Sequence, residues 1–399
     1  MALQEASGSG GTVLRPTKPP FWNDPVVRGV IFQIVLIACV VGLVGFLVHN
    51  TLSNLASRSI ATGFGFLQKE AGFDVGESII PYTPADNYGR ALLVGLLNTL
   101  KLAVCGIVLC TILGTLVGIA RLSTNWLISK LAKVYIEITR NIPLLLQLFF
   151  WITMVRLAPS PRDAVELLPG VYVMNRGVLM PFPEPDPLHT YIYITFLVGV
   201  IATFAVARWA KQRQMATGQQ FPTFWAGLGL IVGLPLAVFF IVGAPLVLDV
   251  PKLQGFNFRG GVGLTPEFVA MLVGLVVYTG GFIAEIVRSG ILAVSNGQSE
   301  AASALGLRRG VTLRKIVLPQ ALRVIIPPMT SQYLNIVKNS SLAVAVGYFD
   351  LVSAANTTIN QTGQAVEGIA IIMAVYLTIS LGISLGMNVY NGRMALKER

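Results

Sequence analysis

The chain has 399 residues, of which 54% are hydrophobic and 12% charged, with a formal net charge of +11 and a mean hydropathy of +0.70. Soluble domains carry about a quarter of their residues charged, so a chain of two or three soluble domains is excluded. The positive charge collects on alternate loops without a basic–aromatic pattern, which marks membrane topology rather than nucleic-acid binding.

Residues 1–29 are rich in Gly, Ser and Pro (SGSGG, then RPTKPP) and predict a disordered tail. The apolar run at 30–48 is too long for the core of a signal peptide and lacks a small-x-small cleavage site, so it reads as an uncleaved anchor. Residues 49–90 are of mixed composition, with a short helix expected before Pro81 and Pro84. Crossing hydrocarbon takes about 20 apolar residues in helix, because each backbone N–H and C=O must be satisfied within the segment. Further runs of this kind lie at 91–120, 142–157, 191–207, 225–248, 266–287, 324–346 and 369–390. The count is eight spans, and the expected fold is an all-α polytopic membrane protein. Residues 158–190 (PFPEPDP near their end) are too broken for long helices and form an outer segment. The loop from about Arg288 to Arg323 is full of helix formers but has no charge-free apolar run, so a helix outside the bilayer is expected there.

Placing the N-terminal tail in the cytoplasm and alternating sides puts nineteen of the 29 basic residues inside and eight outside, with Lys101 and Lys338 within spans. This is the bias of the positive-inside rule, and it places both termini in the cytoplasm. The three cysteines, Cys39, Cys105 and Cys110, all fall in apolar spans, which suits packing rather than disulfides or metal binding. The histidines, His49 and His189, lie in outer segments far from any cysteine cluster. The dipeptide Gly-Lys is absent, so there is no phosphate-cradling loop, and neither H-E-x-x-H nor G-x-S-x-G occurs. The residues therefore point to a transport protein that binds no cofactor of its own, rather than to an enzyme.

The inner loop reads Glu300-Ala301-Ala302, then Gly306, then Ile316, Leu318 and Pro319. The alanines leave a helix face that a partner can approach closely, Gly306 suits a helix end, and Glu300, near the helix start, is favoured by its dipole. A solvated amphipathic connector is the plain alternative. The spacing E-A-A, three residues, G, nine residues, I-x-L-P resembles the signature loop of the membrane subunits of ABC importers. The resemblance implies a coupling helix seated in a groove of a separate ATPase subunit, which holds the ATP and Mg. Asn98-Thr99-Leu100, the stretch Tyr135–Gln147 with its E-x-x-R-x-x-P-L-L-x-Q spacing, Phe282–Gly290 and Lys338-Asn339-Ser340-Ser341-Leu342 are similar to segments of polar amino-acid permeases. Ser289 stands where that branch has a glycine. The likeness covers roughly 90–157 and 265–395, a five-helix type I importer core within a transmembrane domain at 91–395. The span and outer segment at 30–90 and two inserted helices at about 191–248 are additional to it. This enlarged architecture is most similar to permeases of general L-amino-acid and glutamate/glutamine/aspartate importers. The further partners so implied are a second permease chain, identical or homologous, and a periplasmic amino-acid-binding protein, with residence in the bacterial inner membrane.

An amino acid brings a carboxylate and an ammonium into low dielectric, so a passage needs groups to meet them. Lys338, near the middle of its expected span beside Asn339, Ser340 and Ser341, is the first candidate, with Pro327 and Pro328 expected to break the helix before it. Its alternative is an ion pair with a buried carboxylate, the serines serving only close packing. Glu285 is a candidate for the ammonium, against an i,i+3 ion pair with Arg288. Gln147 is a weaker passage candidate, against an interhelical hydrogen bond. Lys101 is expected to snorkel, Glu137 and Arg140 to lie at the cytoplasmic mouth of the third span, and Gly280-Gly281 to serve packing. The alternative function, an ion-gradient-driven secondary amino-acid transporter, needs mid-depth carboxylates and an inverted repeat, and neither is evident. A purely structural scaffold would not need Lys338 in hydrocarbon.

Overall fold

The computed structural model describes residues 24–57, 62–244 and 246–394. Most of the expected tail lies outside these residues, but the first helix, α1 (Pro25–Ser57), begins earlier than the expected 30. Among the described residues of the segment that follows there is no α-helix: one 3-10 turn, Phe64–Gln68, leads to a strap folded back on the start of α2 (Tyr88–Arg121). Ala71 N–H donates to Asp86 O and Gly72 N–H to Pro84 O, and Phe66, Ala71, Tyr88 and Ala91 form a small buried cluster.

The third expected span is a bent pair. Helix α3 (Trp126–Asn141) and α4 (Leu144–Arg156) meet at 108° around Pro143. At 13 residues α4 is about 20 Å long, too short to cross alone. Arg156 in its last turn reaches Glu267 at 3.3 Å.

The outer segment 158–190 was expected to lack long helices, but it also folds as sheet. Strands β1 (Val165–Leu168), β2 (Val171–Met174) and β3 (Gly177–Met180) form an antiparallel meander, with β4 (Phe182–Pro183) after it. The inserted pair follows: α5 (His189–Thr217), then α6 (Thr223–Leu228) and α7 (Leu234–Ile241), joined by a π turn at Gly229–Gly233 into one bilayer-length helix. That helix stops at Ile241, short of the expected 248, because β5 (Leu248–Asp249) pairs with β4. Strands β6 (Lys252–Gln254) and β7 (Asn257–Arg259) make a hairpin, and β8 (Val262–Leu264) closes the sheet against β3, with Met180 opposite Val262. Strands before and after the inserted helices are thus hydrogen-bonded neighbours.

The core is α8 (Pro266–Leu292) against α2, α4 and the later helices. After α9 (Asn296–Ala304), α10 (Arg309–Thr312) runs through a π turn at Leu313–Val317 into α11 (Leu318–Asn339). A 3-10 turn at Ser340–Leu342, α12 (Ala343–Val346), α13 (Leu351–Thr362) and α14 (Ala365–Met394) complete the chain. Among the described residues, six helices are long and apolar enough to cross a membrane, and each of two bent pairs adds one more, giving up to eight. Two apolar clusters hold the core, one around Leu102, Leu148, Phe268 and Leu275, the other around Cys110, Ile283, Ile325 and Ile336. Lipid tails are as apolar as Leu, so close backbone approach and dispersion hold such helices together. Accordingly, a Cβ on Gly114 would stand 2.6 Å from Ile283 and one on Gly118 2.7 Å from Ala284 O.

Candidate functional site

Two regions gather the residues singled out by sequence. The first is the loop between α8 and α11. Helix α9 ends in a Schellman motif: Gly306 N–H donates to Ser303 O at 3.0 Å and Leu307 N–H to Ala302 O at 3.1 Å, with Gly306 at φ +70°. Ala302 is buried and Ala301 exposed. Glu300 is exposed, but it lies in the second turn of a helix starting at Asn296, so the dipole reading fails there because the effect fades beyond the first turn. Sequence reading missed Leu305, which stands 79% exposed at the tip. Its signal was a large apolar residue directly before the helix-ending glycine.

Ile316 lies in the π turn, and Leu318 and Pro319 open α11. Pro319 has no N–H for the carbonyl one turn back, and the wider turn bonds Leu318 N–H to Leu313 O instead. Gln320 ties the two helices together, its Nε2 donating to Ile316 O at 3.1 Å and to Gln298 Oε1 of α9 at 3.4 Å. At the same end, a Cβ on Gly290 would stand 2.3 Å from Ile325, so α8 and α11 touch beside the loop. A displacement of α9 has a short, packed route into α11.

The second region is a cleft of about 260 Å³ between α8 and α11, lined by Tyr278, Thr279, Phe282, Gln332, Asn335 and Asn339. The three amides recur at i, i+3 and i+7, so they share one helix face, and Asn335 is exposed. Three amides facing hydrocarbon would be costly, so this face lines water or meets another chain. The spacing of Gln332 and Asn335 was a readable signal that the attention to charge passed over.

The structure redistributes the charged candidates. Lys338 is in the last turn of α11, where a cation is favoured by the helix C-terminus, within the bent pair of helices that runs on to Thr362. Its side chain is exposed and no carboxylate pairs with it among the described residues. Pro327 and Pro328 do not break the segment: α11 runs through both, and the interruption comes at Ser340–Leu342 and at 347–350. Asn339 lines the cleft, but Ser340 is fully buried, with its Oγ 2.6 Å from Val337 O and 3.2 Å from the Tyr376 hydroxyl. Ser341 Oγ donates to Lys338 O. Both hydroxyls bond back to the end of α11. Glu285 is in the ion pair with Arg288, whose Nε lies 3.1 and 3.0 Å from its two oxygens. Gln147 is buried, and its Nε2 donates to Thr139 O and Ile142 O at 2.9 Å, fastening the α3–α4 bend. Arg140 lies 5.2 Å from the Phe282 ring centroid. Lys101, expected to snorkel, pairs with Glu77 of the strap and sits 4.1 Å over the Phe268 ring. Glu77 also accepts from Thr265 Oγ1 at 2.6 Å, and Asn98 Nδ2 donates to Glu77 O and Phe349 O. Asn98 and Thr99 therefore join α2 to the strap and to the 347–351 bend.

Residues 195–395 match the family model described as the binding-protein-dependent transport system inner membrane component. The chain belongs to this family. The permease is 51% identical over 377 residues to the general L-amino acid transport system permease protein AapQ of Rhizobium johnstonii, covering 94% of each chain. It is 51% identical over 378 residues to the putative amino-acid ABC transporter permease protein YhdX of Escherichia coli, covering 94% of this chain and 96% of the relative. To the glutamate/glutamine/aspartate/asparagine transport system permease protein BztB of Rhodobacter capsulatus it is 40% identical over 409 residues, with coverage of 94% and 96%. The permease is thus a multi-pass inner-membrane transport subunit and not an enzyme.

Proposed function

We propose that this chain is the permease subunit of an ATP-binding-cassette importer that carries L-amino acids across the bacterial inner membrane. The observation that carries the coupling role is the α9 loop: a short helix, ended sharply at Gly306 and tied to α11 by Gln320. Glu300, Ala301, Ala302, Gly306, Ile316, Leu318 and Pro319 form the seat for a separate ATPase subunit, which binds ATP and Mg. ATP-driven closure of two such subunits pushes α9, and α11 then moves against α8, where the amide-lined cleft forms part of the passage. A second permease chain completes that passage, and a periplasmic binding protein delivers the amino acid at the outer face. Both termini are cytoplasmic. The 91–395 region is the transport domain, and the 30–90 segment and the α5–α7 insertion are additions to it.

The test is uptake of labelled amino acids by proteoliposomes holding the permease with its ATPase and binding protein. Uptake should need internal ATP and survive dissipation of ion gradients, and Glu300→Lys should leave the complex assembled while lowering transport per ATP hydrolysed. Uptake that collapses with the ion gradient while ATP remains would overturn the reading.

A further inference from the structure

The inserted helices α5 and α6–α7 pack chiefly against each other through small residues, with Gly199, Ala210 and Gly227 buried. The last turns of α5 carry Arg208, Lys211 and Arg213, and residues 187–248 contain no Asp or Glu at all. The hairpin therefore supplies no carboxylate for its own cations. At this end the helices border a half-open hollow of about 860 Å³, lined by Phe204, Arg208, Lys211, Gln214, Gln220 and Phe221 among others. Phe204, Arg208 and Lys211 follow one another at i, i+4 and i+7 on one face of α5, so an apolar floor passes into a cationic rim within two turns. Gln214 and Gln220 add amide donors beyond the rim.

Aromatic side chains shape the wall: Trp209 meets Phe221 edge-on at 5.3 Å, and Arg213 lies 5.5 Å from the Trp209 ring centroid while its NH2 donates to Gln219 at 3.1 Å. Arg213 is thus committed to the wall, whereas among the described residues Arg208 and Lys211 face the cavity without an anion. The positive-inside rule accounts for the sign of these residues, but not for a cavity of this size between them. A volume in the range of small-molecule sites, greasy on the bilayer side and cationic on the aqueous side, matches a headgroup with its first chain carbons. Basic pockets between membrane helices on the cytoplasmic side take anionic lipid headgroups.

We propose that the mouth of the α5–α7 hairpin binds an anionic phospholipid, its phosphate at Arg208 and Lys211 and its chain along Phe204. The full chain would be reconstituted in nanodiscs of phosphatidylcholine doped with phosphatidylglycerol, then extracted gently and its retained lipid counted by native mass spectrometry. Phosphatidylglycerol should be retained over phosphatidylcholine, and R208Q/K211Q should lower that preference roughly twenty-five-fold, about five-fold per basic residue near a membrane surface. The charge-conserving R208K/K211R should keep it, with unchanged melting temperature. Loss in both double variants would tie retention to packing rather than charge and overturn the proposal. Equal retention of the two lipids by the unaltered chain, or undiminished preference in R208Q/K211Q, would also overturn it. Displacement by inorganic phosphate would show that the cavity holds a free anion and not a lipid.

Discussion

Gly306 lets two contributions to coupling be separated by substitution. It sits at φ +70° with nothing within 4 Å of where a Cβ would stand, so an added side chain meets no steric obstacle. What an ordinary residue meets is the left-handed backbone itself, at roughly 1–2 kcal/mol, a factor of about 5–30 in the population of the closed Schellman end. Gly306→Ala should therefore lower transport per ATP by that factor while the chain still inserts, since no span is touched. Asn tolerates the left-handed region, so Gly306→Asn should retain most coupling. Asp has nearly the same shape as Asn, and any additional loss in Gly306→Asp reports a charge forced into the ATPase seat. The assay is uptake and phosphate release measured together on the same proteoliposomes of the assembled importer. If Ala couples as well as Gly, or Asn does worse than Ala, backbone geometry at Gly306 is not what keeps α9 in order.

A single cysteine replacing Asp186 should react with an impermeant thiol reagent in intact spheroplasts and one replacing Gln212 should not; the reverse pattern would invert the topology. Lys338→Met forfeits only the helix-end interaction, about 0.3–1 kcal/mol, and orphans no carboxylate among the described residues, so complex yield should hold while uptake falls; normal uptake would remove Lys338 from the passage. Glu77→Gln leaves Lys101 without its counter-charge and should lower stability by about 3 kcal/mol, read as a fall in melting temperature that Lys101→Met partly restores; an unchanged melting temperature would mean that the strap does not hold the outer ends of α2 and α8. A Cβ on Gly281 would lie 2.2 Å from Thr139 Oγ1, so Gly281→Ala should destabilise the α3–α8 contact by about 1–3 kcal/mol. Removing that hydroxyl with Thr139→Ala should recover most of the loss in a thermal melt, and failure to recover would place the strain elsewhere.

The spans were legible because hydrocarbon imposes a minimum apolar length on each, and that constraint is written locally. The four-stranded sheet was not, because its strands have three or four residues and its closing pair joins Val178 to Leu264 across the whole insertion. Lys101 looked like a snorkelling residue for the same reason: its partner Glu77 lies 24 positions away in a strap of no regular pattern. Pro327 and Pro328 misled because their sequence reads as a break, whereas α11 continues through both and is interrupted only after Asn339. The end of α9 was legible to one residue, since Gly306 sets it, whereas the exposed Leu305 just before it was not. The cleft was half-visible: Asn339 was noticed beside a lysine, and Gln332 and Asn335, which share its face, were not.

The pairing of Met180 with Val262 makes the intervening 81 residues a bulb on a neck, with Phe256 and Phe258 folded back onto Arg162 and Tyr172 beside it. Departure and return points stand one strand spacing apart, about 5 Å, so the connection from α4 to α8 has the same reach whether the bulb is large, small or replaced by a tight turn. Such a neck lets a lineage enlarge or trim this appendage without repositioning the helices that carry cargo. It also marks residues 180 and 262 as natural points at which to splice in a reporter or a foreign hairpin.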